Sequence, residues 1–155
     1  MRINILAIES KRPAWAQKAF EYYQNRFDRS IQVEWSGIKP EKNYKSLDTK
    51  KIINKESAKL INSVKDGEII ISLDKQGTSW STLELKKKFD EWLSSSTNVS
   101  FIIGGPDGLN SKCLNLSHEV WSLSSLTFPH SIVPVIVIEQ LYRVWSINKN
   151  HPYHR

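Results

Sequence analysis

Three glycines crowd into five positions of the stretch FIIGGPDGL, Phe101 to Leu109, in a chain that has only six. Gly104, Gly105 and Gly108 flank Pro106 and Asp107 behind an apolar run. A backbone this bare can approach a flat or polar ligand closely, because no Cβ stands in the way. A tight turn after a strand uses the same residue types, so the loop alone fits either reading. Its text excludes other chemistries. No Gly-Lys-Ser/Thr follows, so it is not a phosphate-cradling P-loop, and the G-x-G-x-x-G dinucleotide fingerprint is missing. No G-x-S-x-G elbow positions a nucleophilic serine. His118, His130, His151 and His154, with the single Cys113, lack the paired spacing of a zinc site, so no metal is expected.

Three further groups carry chemistry. Leu123-Ser124-Ser125-Leu126-Thr127-Phe128-Pro129-His130 offers small hydroxyls and backbone amides, although a helix cap with a turn explains it equally well. Glu139, Gln140 and Arg143 are polar residues in an otherwise apolar helical pattern. Glu139 and Arg143 have the i,i+4 spacing of a structural ion pair. The closing residues His151, Tyr153, His154 and Arg155 set aromatics beside cations, as contacts to RNA bases and phosphates do. A frayed, solvated terminus is the plainer reading of the same residues. Lys86-Lys87-Lys88 reads as the solvent face of a helix.

The elements that must position these groups alternate. Ile3 to Ile8 is a short apolar strand, and Pro13 opens a helix with Ala16, Ala19, Phe20, Tyr23 and Phe27 on one face. Ile31 to Trp35 alternates as a strand. Lys39 to Lys50 is polar and reads as an exposed loop, after which Asp48 caps a helix carrying Ile53, Ser57, Leu60, Ile61 and Val64 on one side. Glu68 to Leu73 is a β-branched strand, Asp74 to Thr78 a loop, and Ser81-Thr82-Leu83-Glu84 a capping box opening a third helix. Val99 to Ile103 is the next strand and delivers the glycine loop. A short helix over Lys112 to Asn115, a strand over Val120 to Leu123, and a helix over Ile132 to Ile147 complete the chain. The last helix is apolar on nearly every side, so it is buried in the core or in a subunit interface. Pro134 is tolerable there only in the first turn.

Alternation of this kind predicts an α/β fold, a mainly parallel sheet with helices on both faces, in a single domain over residues 1–155. Ligands of such sheets bind outside the carboxyl ends of strands. Three of the segments above, Asp74 to Trp80, Gly104 to Gly108 and Ser124 to His130, fall at such ends.

Composition bounds the rest. At 155 residues, 39% hydrophobic and 25% charged, the chain reads as an ordinary globular protein. A net charge of +6 makes a polyanion a reasonable partner. One cysteine permits no internal disulfide and fits a reducing cytoplasm. No apolar run is long enough for a signal peptide or a membrane span.

FIIGGPDGL, then WSLSSLTFPH, then EQLYRVW, then the closing NHPYHR together resemble the RlmH family. These are SPOUT-class methyltransferases that modify bacterial large-subunit ribosomal RNA. The resemblance runs the whole chain and implies the following. S-adenosyl-L-methionine is the cofactor. The reaction methylates N3 of a pseudouridine in the helix 69 loop of 23S rRNA, on the assembled 70S ribosome. The C-terminal part of the α/β sheet is threaded into a trefoil knot, and the protein is a homodimer. The family's cofactor contacts fall on Leu73, on Gly104 with Gly105 beside it, and on Leu123, Ser124, Ser125, Leu126, Thr127 and Phe128. Arg143, Tyr153, His154 and Arg155 face the RNA and complete a composite site with the partner subunit. Members commonly carry an arginine just after the Pro-His pair, whereas Ser131 to Val135 here has none.

Two other readings stand beside this one. A ribosome-binding dimer without chemistry would use the basic surface but would need no cofactor pocket. A related SPOUT enzyme would act at another RNA position or on a ribose hydroxyl.

Overall fold

The computed structural model describes residues 1–42 and 48–154. Its order is β1 (Arg2–Ile8), α1 (Ala14–Gln24), β2 (Gln32–Ile38), α2 (Thr49–Asn62), β3 (Ile69–Ser79), α3 (Thr82–Ser94), β4 (Val99–Ile103), α4 (Ser111–Leu116), β5 (Glu119–Ser122), a 3₁₀ turn (His130–Ile132) and α5 (Val133–Asn148). The five strands form one sheet in the order β2-β1-β4-β3-β5, and every pairing is parallel. The expected α/β architecture is therefore present.

Helices cover both faces, which is why β1 and β4 read as apolar runs, broken only by Asn4 between Ile3 and Ile8 and by Ser100 between Val99 and Ile103. Successive side chains of a strand point to opposite faces. Ile3, Ile5 and Ala7 accordingly join Phe101 and Ile103 on the side covered by α1, α3 and α5. Leu6, Ile8 and Ile102 face the other way, against Leu60 of α2 and Cys113 of α4. Burying each of the larger apolar side chains contributes roughly 1.5–3 kcal/mol.

Local signals explain the helix starts. The Asp48 carboxylate accepts a hydrogen bond from the Lys50 amide at 3.2 Å. At α3 the capping box is complete: Ser81 Oγ accepts from the Glu84 amide, and the Glu84 carboxylate accepts from the Ser81 amide at 2.7 Å. Pro134 sits in the first turn of α5, where its missing N–H costs nothing.

Several boundaries differ from the sequence reading: β2 runs over Gln32–Ile38 rather than Ile31 to Trp35, and α1 and α2 end before Phe27 and Val64. β3 does not end at Leu73. It resumes and runs to Ser79, with both Leu73 and Thr78 opposite Trp121, so Asp74 to Gly77 bulge out of the ladder. Polar, glycine-bearing residues hide a strand that is interrupted rather than ended. β5 ends at Ser122, one residue earlier than expected. The last helix starts at Val133, because the 3₁₀ turn takes Ile132. Of the segment expected to be an exposed loop, residues 43–47 lie outside the described residues, and Thr49 and Lys50 belong to α2. Among the described residues, no helix is long and apolar enough to cross a membrane.

Candidate functional site

β4 ends at Ile103 and delivers Gly104 at the carboxyl edge of the sheet. The chain then turns on itself. The Gly108 amide donates to the Gly105 carbonyl at 3.0 Å, and the two residues form an isolated antiparallel bridge. Pro106 holds the second position of this turn at a preset φ. Gly108 closes it at φ +84°, the left-handed region that favours glycine.

The crowding of glycines thus has a reason inside the protein. A Cβ on Gly104 would stand 2.7 Å from the Gly108 carbonyl oxygen, and one on Gly105 would stand 2.7 Å from a carboxylate oxygen of Glu56 on α2. The loop needs bare backbone first to fold against itself and against α2. Close approach to a ligand is not the primary demand at these two positions.

The β3 bulge forms a second wall. The Asp74 carboxylate accepts from the Gln76 amide at 2.8 Å. Gly77 passes so near β5 that a Cβ there would stand 2.6 Å from the Val120 carbonyl oxygen. On a regular strand Asp74 and Lys75 would point to opposite faces, but the bulge brings both to one cavity. The third wall follows β5. Ser122 Oγ donates to the Ser124 carbonyl at 3.2 Å, and Ser124 Oγ accepts from the Leu126 amide at 3.0 Å. Trp121 beneath is stacked on Trp80, with centroids 4.8 Å apart. Lys88 lies over Trp80 and pairs with Glu119 at 2.5 Å, which ties α3 to β5.

These walls enclose a cavity of about 350 Å³. Of the residues anticipated from sequence, Leu73, Gly104, Gly105, Leu123, Ser124, Leu126, Thr127 and Phe128 line it. Ser125 is exposed and does not. Asp74, Lys75, Asp107, Trp121 and Val133 also line it and were not singled out. The first three lie in Asp74 to Trp80 and Gly104 to Gly108, segments that the sequence placed at ligand-binding strand ends without naming these side chains. The Trp121 Nε1 donor is buried with no hydrogen-bond partner among the described residues.

The polar groups of α5 and the tail gather elsewhere. Arg143 pairs with Glu139 at 2.5 Å, the i,i+4 pair that the spacing allows. The Tyr153 hydroxyl donates to the same carboxylate at 2.9 Å and lies 3.2 Å from the Tyr23 hydroxyl. Its ring stands over Tyr142 at 4.9 Å, and the Arg143 guanidinium lies 5.0 Å from the Tyr153 ring centre. The tail is therefore docked through Tyr153 rather than frayed. Burial, then the Tyr23 and Glu139 contacts, push the Tyr153 phenol well above the usual tyrosine range. Tyr153 is a hydrogen-bond donor, not a base. His154 is exposed, and Arg155 lies outside the described residues.

Within one chain these two groups do not meet. Val133 lines the cavity, and Arg143 is almost three turns further down α5, about 15 Å at 1.5 Å per residue. His118 Nδ1 accepts from the Ile70 amide at 3.0 Å and serves the sheet. Among the described residues, no three His, Cys, Asp or Glu side chains are grouped to hold a metal ion.

Comparison with known proteins places this architecture. The family model described as "Predicted SPOUT methyltransferase" matches residues 1–154. The fold is similar to that of a methylase family protein from Neisseria gonorrhoeae, with a TM-score of 0.51, 9% identity, and coverage of 90% of this chain and 81% of the other. It is also similar to a methylase family protein from Haemophilus influenzae Rd KW20, with a TM-score of 0.57, 11% identity, and coverage of 99% and 70%. At such identities these two structures speak for the fold alone. The family match spans all but the last residue, and with it the chain belongs to the SPOUT methyltransferases, α/β-knot enzymes that use S-adenosylmethionine.

Proposed function

We propose that this chain is the enzyme that methylates N3 of a pseudouridine in the helix 69 loop of 23S rRNA, on the assembled 70S ribosome in the cytoplasm. It acts as one domain per subunit and as a homodimer. The observation that carries the reading is the meeting of Leu73, Gly104 and the 123–128 loop, distant in sequence, around one cavity at the strand ends.

The cavity suits S-adenosylmethionine. Leu73, Ile103, Leu123, Phe128 and Val133 offer apolar surface for a purine, and the bare 104–108 backbone leaves room beside it. Asp74 and Lys75 supply one charge of each sign for an amino-acid end. When bound, the cofactor supplies an electrophilic methyl group.

The chain's own task is then alignment and charge. Leu123, Ser124, Leu126, Thr127 and Phe128 hold the ligand on one side and the glycine loop on the other, while Ser125 stays at the surface. The imide N3–H of the target base must lose its proton, and exposed His154 is the acceptor we assign. Arg143 is held by Glu139 yet keeps N–H donors for the base as negative charge develops. Tyr153 positions that guanidinium, and Arg155 contributes a further cation. Because tail and cavity are about 15 Å apart along α5, the tail serving each cavity comes from the partner subunit. The charge of +6 favours the ribosomal RNA surface.

Labelled methyl transfer from S-adenosylmethionine tests this. The substrates are whole ribosomes lacking the modification, free large subunits, and ribosomes whose target uridine was never converted to pseudouridine. Label is expected only in the pseudouridine-containing whole ribosomes. Cofactor binding with no label on any of them would mean another RNA target. No binding and no label would favour a ribosome-binding module.

A further inference from the structure

We propose that Glu56 is a positioning residue of the cavity, and that its charge selects a sulfonium cofactor over the neutral thioether left after methyl transfer. This rests on the S-adenosylmethionine reading above. Glu56 lies on α2, in register with Ile53 and Leu60 on the inward face, and is only 5% exposed. A carboxylate so buried must be compensated. One oxygen accepts from the Glu41 amide at 3.0 Å. The other occupies the space that Gly105 leaves open, 2.7 Å from where a Cβ would be. The lysines beside it on the helix do not neutralise it. Lys55 and Lys59 lie 4.0 and 2.6 Å from the Glu41 carboxylate instead.

α2 also grips the far end of the same loop. Ser57 Oγ accepts from the Asn110 amide at 3.0 Å, and Asn54 Oδ1 accepts from Asn110 Nδ2 at 2.9 Å. α2 thus holds the loop at Asn110 and sets the Glu56 carboxylate against Gly105, a residue that also lines the cavity. A fixed charge in that position is screened far less than one in water. In the transfer, the sulfur–methyl bond breaks and its electron pair stays on sulfur. The methyl bonds to the base nitrogen, whose proton leaves to a base. The cofactor therefore loses one positive charge, and the attraction of Glu56 goes with it. Binding of the reactant is favoured and release of the product is eased.

The test titrates S-adenosylmethionine and S-adenosylhomocysteine into the wild type and Glu56→Gln, with thermal melting as the check on folding. Gln keeps the size and the acceptor for the Glu41 amide but removes the charge. The ratio of the two affinities is expected to fall about tenfold, with the thioether affinity nearly unchanged. Equal weakening of both ligands, or an unchanged ratio, overturns the proposal. If Glu56→Gln does not fold, Gly105→Ala gives the second reading. Its methyl group pushes the carboxylate back, and the ratio should fall again; a wild-type ratio there would also overturn it. A wild type that binds neither ligand would instead sink the cofactor reading on which this depends.

Discussion

At the scale of single residues, Tyr153 decides whether the tail is part of the enzyme. Its hydroxyl reaches Glu139, and its ring packs between Tyr142 and Arg143. Tyr153→Phe keeps the ring and loses the hydrogen bond, a cost of about 1 kcal/mol. Methyl transfer is expected to fall at least about tenfold, because a released Arg143 is no longer aligned, while cofactor affinity stays at the wild-type value. Equal losses in both measurements would contradict this. The phenol also gives a pH dependence. Its value in the folded protein is raised, chiefly by burial, so its contribution is complete below the ordinary tyrosine value near 10 and declines as pH rises beyond it. Ultraviolet titration should show a phenolate step above the ordinary tyrosine range that is lost in Tyr153→Phe. The Glu139–Arg143 pair was legible from spacing alone. The Tyr153 contacts were not, because Tyr23 lies at the other end of the chain and no local pattern connects them.

At the scale of elements, periodicity and capping residues showed the helices and strands well. Ser81 and Glu84 announced α3, and the alternation of strands with helices announced a parallel sheet. The β3 bulge was hidden, because polar residues that loop out and re-enter a ladder look like the end of a strand. That bulge supplies a wall of the site, and Gly77 is its tightest point. Gly77→Ala is expected to lower stability by about 1–3 kcal/mol in thermal melting, because the clash is with the backbone of Val120. Cofactor affinity should fall with it, since β5 carries Trp121 and leads into the 123–128 loop. A melting temperature at the wild-type value would mean that the bulge accommodates a side chain. The glycine loop teaches the complementary lesson. Its composition was visible in the sequence, but the reasons for Gly104 and Gly105 were the Gly108 carbonyl and Glu56, which only the fold brings near.

At the scale of the molecule, strand order and knot are what sequence patterns convey least. Helix–strand alternation reads the same for a threaded and an unthreaded chain, and general topology rules argue against knots. The order β2-β1-β4-β3-β5 sets β4, β3 and β5 side by side. That adjacency lets three distant loops share one cavity, while the tail docks far down α5. The central claim is that this cavity holds S-adenosylmethionine. Calorimetric titration of the cofactor into the wild type, Gly104→Val and a chain ending at Pro152 tests it most directly. Binding by the wild type and the shortened chain, with none by the folded valine variant, is the predicted result. Undiminished binding by Gly104→Val, whose side chain would drive into the Gly108 carbonyl, would contradict it.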